Sequence, residues 1–306
     1  MIPRLFLLLL LLPVGGAAET VRLLTIGNSF SRNATNHLGD LAKAGGHELI
    51  HESIVVGGAS LELHSEKALL HEKDPAHKDG LYTSGRSLAQ HLRQERWDFV
   101  SIQQASIKSH DFATYEPHGS RLAALIRSHA PGARILVHQT WAYRVDDPRF
   151  TKPSDTDGEP ATQEQMYRGL TAAYDQLASL IGARVIPVGD AFFAADTDPQ
   201  WGYKPGSVPF DPKTARRPAL PEQTHSLHVG WRWAKARNSV KITLGMDGHH
   251  ANLAGEYLGA CVWYEVLFGD TPPGSTHLPK GLDAAHARFL QETAHHAVQA
   301  RLASGQ

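Results

Sequence analysis

The amino-acid sequence predicts an α/β fold: a three-layer sandwich in which helices cover both faces of a central parallel sheet of five strands. Two observations lead to this prediction. Short apolar segments with strand character occur five times along the chain, and segments with helical periodicity separate them. Because strands that alternate with helices pair in parallel, both faces of the resulting sheet are covered.

Each predicted element has its own sequence features. The strands are expected at residues 21–26, 49–56, 99–103, 133–138 and 184–188. Apolar residues at helical spacing run from Phe30 to Ala42, and two glycines at 45 and 46 end that run. Further helices are predicted over residues 87–94, from about 117, and over 163–180, 252–268 and 282–302. Thr162 and Gln165 are placed to cap the helix that begins at 163.

Charge and cysteine content exclude two classes of protein. The 306 residues include 30 Lys and Arg against 31 Asp and Glu, so the formal net charge is -1. A nucleic-acid-binding domain is expected to carry a basic excess, and we therefore predict no nucleic-acid partner. Cys261 is the single cysteine, so a disulfide-stapled fold is excluded. Its apolar neighbours predict a buried, unreactive thiol.

The N-terminus has the pattern of a secretory signal peptide. Arg4 precedes an apolar run from Leu5 to Leu12, and small residues follow at positions 15–18. The run is too short to span a bilayer. We therefore expect residues 1–18 to be removed, leaving one secreted or periplasmic domain, residues 19–306, without stable membrane insertion. An insertion at about residues 195–236, rich in aromatic side chains, is expected to form a cap on this domain.

Two motifs at opposite ends of the chain carry residues suited to nucleophilic catalysis. Ser29 directly follows the first strand and opens a helix, where the helix dipole and free backbone N–H groups favour a developing anion. Helix capping by Ser29 or Asn28 is the structural explanation for the same pattern. Asp247 precedes His250 by three residues, so its carboxylate can orient the imidazole as a base. The neighbouring His249 is the alternative base.

These motifs, in this order, resemble those of the SGNH, or GDSL-type, hydrolase superfamily. Residues 27–30, Gly-Asn-Ser-Phe, match the block that carries the nucleophile, with Asn28 in place of the usual Asp. Asp247 and His250 match the Asp-x-x-His block. The resemblance implies a flavodoxin-like fold, with Ser29 as nucleophile, His250 as base and Asp247 as its orienting carboxylate. It also implies that the reaction needs no metal and no cofactor.

The remaining blocks of the superfamily supply an oxyanion hole, which the resemblance places at Ser29, Gly58 and Gln104. Two glycines follow the second strand, and glycine lets the backbone approach a substrate closely. We assign the role to the second, Gly58, with the first as the alternative. After the third strand, Ser-Ile-Gln-Gln-Ala-Ser replaces the usual Gly-x-Asn-Asp. A Gln amide offers the same N–H donor as Asn, so Gln104 is expected to donate, with Gln103 and Ser106 as alternatives.

Four tryptophans are expected to line the substrate site. Trp141 follows the fourth strand, whereas Trp201, Trp231 and Trp233 lie in the insertion. They can form a stacking platform for sugar rings or a hydrophobic lid over an acyl chain. The alternative is that the insertion uses them for its own small core. Trp231 and Trp233 are two residues apart, so in an extended segment they share a face.

Taken with the resemblance, these features predict a secreted serine esterase that removes acetyl or another small acyl group from a carbohydrate. Its partner would be a small-molecule or polysaccharide ester. A lipase or thioesterase of the same fold is the nearest alternative, and a non-catalytic carbohydrate-binding protein is a second. A metallohydrolase is a third, which His249, His250 and the many other histidines keep open.

Overall fold

The computed structural model describes residues 18–151, 158–208, 210–235, 240–272 and 277–305. The expected signal peptide, apart from Ala18, lies outside the described residues. Within the described ranges, no helix combines the length and the apolar character needed to cross a membrane.

The central sheet has five parallel strands in the order β2-β1-β3-β4-β5. Each strand lies within two residues of its predicted bounds: β1 Thr20–Gly27, β2 Glu48–Val55, β3 Phe99–Ile102, β4 Arg134–His138 and β5 Arg184–Ile186. The flavodoxin-like strand order implied by the superfamily resemblance is therefore confirmed.

The described residues form ten α-helices, nine of which make up the two outer layers. Their bounds are α1 Ser29–Thr35, α2 Leu38–Ala44, α3 Leu61–Lys73, α4 Leu88–Gln94, α5 His118–His129, α6 Pro148–Thr151, α7 Gln163–Ile181, α8 Val188–Asp196, α9 Leu253–Phe268 and α10 Ala284–Ala303. Helices α3, α4, α5 and α7 pack on one another, as do α1, α2, α8, α9 and α10. The three-layer sandwich predicted from the alternating pattern is confirmed.

Several helices and one strand differ from the prediction. The run from Phe30 to Ala42 forms two helices, α1 and α2, because the chain turns at residues 36 and 37. Helix α3 was not predicted, since only three of its thirteen residues are buried and the sequence shows little amphipathic pattern. Strand β5 ends at Ile186, two residues early, because Pro187 lacks the N–H that would continue the pairing.

The aromatic-rich segment ends in a hairpin that the sequence pattern did not reveal. Strands β6, His228–Lys235, and β7, Ile242–Ala251, pair antiparallel in a separate two-stranded sheet. Strand β7 carries both Asp247 and His250 and leads directly into α9. The segment expected to be an irregular cap is thus continuous with the strand that holds the candidate base.

Helices α1 and α9 touch at backbone distance. A Cβ atom added at Gly259 in α9 would lie 2.9 Å from the Cα atom of Ala34 in α1. Only a residue without a side chain fits at this crossing without displacing the helices. Since α1 begins at Ser29 and α9 follows His250, this crossing fixes the distance between the two motifs.

We predict that Gly259→Ala destabilises the protein, although alanine favours helix formation. The added methyl group forces α1 and α9 apart, and overpacking of this kind costs about 1–3 kcal/mol. The matched control is Gly39→Ala in α2, where an added Cβ meets nothing within 4 Å. That variant should gain about 0.5–1 kcal/mol from helix propensity. Thermal denaturation of both variants measures the difference, and equal midpoints would show that the crossing is not tight.

Candidate active site

The nucleophile position lies where the strand order of the sheet reverses. Ser29 follows β1 and is the first residue of α1, at the carboxyl edge between β1 and β3. Asn28 caps α1, because its Oδ1 accepts a hydrogen bond of 2.9 Å from the backbone N–H of Phe30. Capping by Asn28 leaves the Ser29 hydroxyl available, and the backbone N–H of Ser29 has no acceptor within the helix.

The structure brings Ser29, His250 and Asp247 together across the fold. Ser29 Oγ lies 2.9 Å from His250 Nε2, although the two residues are 221 positions apart in the chain. His250 Nδ1 lies 3.1 Å from each carboxylate oxygen of Asp247. A carboxylate only accepts, so Nδ1 carries the proton and Nε2 presents its lone pair to Ser29. This chain of contacts can move a proton from Ser29 to His250.

Charge around Asp247 keeps it ionised. Burial by itself would raise its pKa, but hydrogen bonds from the side chain and backbone N–H of His250 lower the pKa of Asp247 well below its usual range. His249 also approaches, with Nδ1 3.4 Å from Asp247 Oδ1. Burial lowers the pKa of His249, and the charge of Asp247 opposes that shift. Of the two histidines, His250 is the one that contacts Ser29.

A buried arginine supports the hairpin that carries Asp247. The guanidinium of Arg144 is fully buried and forms two hydrogen bonds of 2.6 and 3.0 Å with Asp146. Gly230 pairs with Asp247 in the hairpin, and a Cβ at Gly230 would lie only 2.2 Å from Arg144 Nη1. The Arg144 backbone N–H also donates to Gly248 O at 2.7 Å. Sequence reasoning did not single out Arg144, because nothing in its local pattern shows a contact with residues a hundred positions away.

His64 is a second residue that the sequence analysis missed, and it holds the turn before Ser29. Its Nε2 donates to Gly27 O at 3.1 Å, and its Nδ1 lies 2.9 Å from the hydroxyl of Tyr82. Burial lowers the pKa of His64 to about 4, so the ring is neutral at pH 7. Gly27 itself must be glycine, since a Cβ there would overlap the side chains of Ser31 and Gln103.

The turn that contains Gly58 is hydrogen-bonded to the residues just before Ser29. Asn28 Nδ2 donates to Ala59 O at 2.8 Å, and Val56 N donates to Gly27 O at 3.1 Å. Gly58 is exposed and has a φ of +68°, a left-handed conformation that favours glycine. The backbone beside Ser29 can therefore present N–H groups of Ser29 and Gly58 to a substrate.

The structure corrects the role predicted for Gln104, because its side-chain amide is hydrogen-bonded to other residues. Nε2 donates to the backbone oxygen and the hydroxyl of Thr114, at 2.8 and 3.1 Å. Oε1 accepts from the backbone N–H groups of Leu61 and Ala105, at 3.1 and 2.8 Å. With both amide hydrogens engaged, Gln104 has none left for an oxyanion. Its contacts fix the start of α3 and the loop after β3.

The two alternatives to Gln104 differ in availability. Gln103 is fully buried, donates to Asn28 Oδ1 at 2.8 Å, and accepts hydrogen bonds from Ser31 and His138. Ser106 Oγ lies 3.0 Å from the hydroxyl of Tyr143, whose ring packs against His249. Two hydroxyl groups that share one hydrogen bond keep one proton to donate. The Ser106–Tyr143 pair therefore keeps one proton to donate, whereas the Gln103 amide is engaged with Asn28.

The four tryptophans predicted to bind substrate all have structural contacts. Trp141 is fully buried, stacks on Phe192 with ring centres 4.3 Å apart, and donates to His249 O at 2.9 Å. Trp201 stacks on His286 and Phe289 of α10. Within the insertion, Trp231 packs on Phe210 and Trp233 donates to Ala219 O. Trp141 thus packs beneath the segment that carries His249 and His250. The other three tryptophans pack residues of the insertion against one another and against α10.

A family match covers the first part of this site. Residues 22–200 match the model of a family described as a domain of unknown function, DUF4886. The chain belongs to the DUF4886 family. The matched range contains Ser29 and Gly58 and ends before Asp247 and His250. Among curated proteins there is no match.

Solved structures include a second DUF4886 protein, from Bacteroides uniformis. It is 27% identical with a TM-score of 0.68, over 92% of this chain and 95% of that chain. A candidate SGNH hydrolase from Slackia heliotrinireducens is 22% identical with a TM-score of 0.47, over 80% and 98% of the two chains. A candidate GDSL-like lipase from Parabacteroides merdae is 13% identical with a TM-score of 0.40, over 82% and 96%. The first shares the fold of this DUF4886 chain; the other two are too distant to indicate function.

We predict that Gln104→Ala lowers the stability of this DUF4886 protein and leaves kcat nearly unchanged. Truncation leaves Leu61, Ala105 and Thr114 without their partners, which costs about 1–3 kcal/mol of unfolding free energy. The matched control is Gln139→Ala, since Gln139 is also fully buried and follows β4, the next strand in the sheet. A kcat reduced about a hundredfold at an unchanged melting midpoint would return the oxyanion role to Gln104.

Proposed function

We propose that the protein is a serine esterase that removes acetyl or another small acyl group from a carbohydrate. The observation that carries this proposal is the contact of Ser29 Oγ with His250 Nε2 at 2.9 Å, together with the contact of His250 Nδ1 with Asp247 at 3.1 Å. A serine, a base and a carboxylate that orients the base form the constellation needed for acyl transfer.

In the proposed reaction, His250 Nε2 takes the proton of Ser29 as Oγ bonds to the ester carbonyl carbon. The tetrahedral intermediate collapses, the bond to the sugar oxygen breaks, and the imidazolium returns the proton to the departing alcohol. A water molecule then attacks the acyl-serine with His250 again as base, which releases acetate and restores Ser29. Asp247 stays ionised throughout and stabilises the imidazolium.

The oxyanion would be bound mainly by backbone donors. We assign this role to the N–H groups of Ser29 and Gly58, with the hydroxyl of Ser106 as the side-chain donor. Fixed N–H and O–H dipoles aimed at the oxygen stabilise the charge that develops there. The tie between Asn28 and the Gly58 turn supports this arrangement, because it fixes the two backbone donors to one another.

The surroundings of Ser29 and His250 are open and polar. This supports a substrate in which a small acyl group is attached to a bulky alcohol. Ser29 is half-buried, and a third of the His250 side chain is exposed. A cavity of about 230 Å³ lies on the Asp247 side of the site, and polar residues such as Arg232 and Thr243 line it together with apolar ones such as Ala234 and Met246. The tryptophans of the insertion make packing contacts, so they support neither an acyl-binding lid nor a stacking platform for sugar rings. We further propose that the enzyme acts after export and removal of residues 1–18.

We expect Ser29→Ala and His250→Ala to lower kcat for p-nitrophenyl acetate by about a thousandfold or more, since either change removes a group that forms or breaks bonds. His249→Ala is the matched control: His249 is adjacent and also approaches Asp247, but the contact with Ser29 belongs to His250. That variant should retain most of its activity. Steady-state kinetics of the purified protein without residues 1–18, with melting curves for each variant, provide the measurement.

Two outcomes would contradict the proposal. Full activity in Ser29→Ala at an unchanged melting midpoint would remove Ser29 from the mechanism. A higher kcat/KM for octanoyl than for acetyl esters would replace the small-acyl specificity by that of a lipase. Release of acetate from acetylated oligosaccharides tests directly whether the substrate is a carbohydrate. In the same assay, Ser106→Ala should lower kcat about a hundredfold, because it removes the proposed side-chain donor to the oxyanion.

A further inference from the structure

A second cluster of histidine and carboxylate side chains lies at the far end of helix α1. His37 joins α1 to α2, Asp40 lies in α2, and His277 lies between α9 and α10. One ring nitrogen of each histidine and one carboxylate oxygen of Asp40 all lie within 4.8 Å of one another. The side chain of Glu256, in α9, borders the same space. Residues far apart in the chain thus converge on one point.

Each of the two imidazoles lacks a hydrogen bond at one ring nitrogen within the described residues. The Nε2 atoms of both His37 and His277 are buried and have no hydrogen-bond partner among the described residues. His37 Nε2 is 3.9 Å from Glu256 Oε2, and His277 Nε2 is 4.0 Å from Asp40 Oδ2. Both distances are too long for hydrogen bonds. What distinguishes these two unpartnered nitrogens is that both face carboxylates across one shared space.

The surroundings hold these side chains in place. Glu256 accepts hydrogen bonds from the amides of Asn33 and Asn36, at 2.8 and 2.7 Å. The Tyr257 hydroxyl donates to His277 O at 3.0 Å, which anchors the segment before α10. Contacts of this kind orient the ligands of metal ions in proteins.

We propose that His37, Asp40 and His277 bind a divalent transition-metal ion of the zinc class, with Glu256 as the adjacent carboxylate. Two imidazole nitrogens and a carboxylate oxygen match the ligands of Zn²⁺, whereas Mg²⁺ and Ca²⁺ take oxygen ligands. With bonds of about 2.1 Å, tetrahedral ligands lie about 3.4 Å apart. The three ligand atoms lie within 4.8 Å of one another, and His277 Nε2 is 4.0 Å from Asp40 Oδ2, so side-chain movements of about 1 Å would bring them to that spacing.

The ion would act as a clamp, independent of the proposed esterase chemistry. His37 and Asp40 belong to the corner between α1 and α2, and His277 belongs to the segment that precedes α10. A metal bond across this space ties the nucleophile helix to the C-terminal part of the chain. Because binding favours the folded state, the ion should raise the melting midpoint.

The test is a Zn²⁺ titration of chelator-treated protein in competition with a chromogenic chelator, followed by melting curves. We expect one ion per chain, and a melting midpoint raised by about 3 °C or more at saturating Zn²⁺. His37→Ala and His277→Ala should each weaken Zn²⁺ binding at least tenfold and abolish the thermal shift. Asp40→Ala is the variant least able to disturb folding, since the side chain is 65% exposed, and it should also weaken binding.

The control variant is His249→Ala, because Asp247, His249 and His250 also place their ligand atoms within 4.8 Å of one another. Binding lost in His249→Ala and kept in His37→Ala would move the ion to that group and overturn the proposal. Equal thermal shifts with Mg²⁺ and Zn²⁺ would also overturn the proposal. The same holds if no Zn²⁺ binds when its concentration is 100 times that of the protein. A failure of the esterase assays leaves this titration unaffected, so the two proposals are tested separately.

Discussion

The close crossing of α1 and α9 is the constraint on which the candidate site depends. Ser29 opens one helix and His250 precedes the other, so their 2.9 Å contact exists only while the helices touch. Gly259 against Ala34 permits that approach. Pairing within the central sheet does not provide it, because β7 is not part of that sheet and packs directly on α1.

Buried polar contacts also help to position Ser29, Asp247 and His250. Beside Ser29, Asn28 caps α1, donates a hydrogen bond to Ala59 O in the Gly58 turn and accepts one from the amide of Gln103. On the base side, buried Arg144 fills the space under Gly230, the partner of Asp247 in the hairpin. Buried networks with satisfied partners are rigid, and a partner removed leaves the others uncompensated. Rigidity of this kind keeps the three functional side chains in contact without a substrate.

Sequence patterns predicted the features that depend on local order. The strands, most of the long helices and the motifs around Ser29 and His250 follow from periodicity and spacing, which the chain displays within a few residues. Gln104 was assigned incorrectly as a donor because the contact that occupies its amide comes from Thr114, through a loop without periodicity. The β6–β7 hairpin and the His37–His277 cluster were missed for the same reason: their partners are set by tertiary packing. The tryptophans could be located from the sequence, but their packing partners could not.

The most direct test of the account is covalent trapping of the nucleophile. A fluorophosphonate reacts with a serine only when a base removes its proton, so labelling reports the Ser29–His250 pair without any assumption about the natural ester. Intact-mass measurement and peptide mapping should show one adduct per chain, on Ser29, and labelling at least a hundredfold slower in His250→Ala. Labelling of a different serine, or equal labelling rates in the two proteins, would contradict the account.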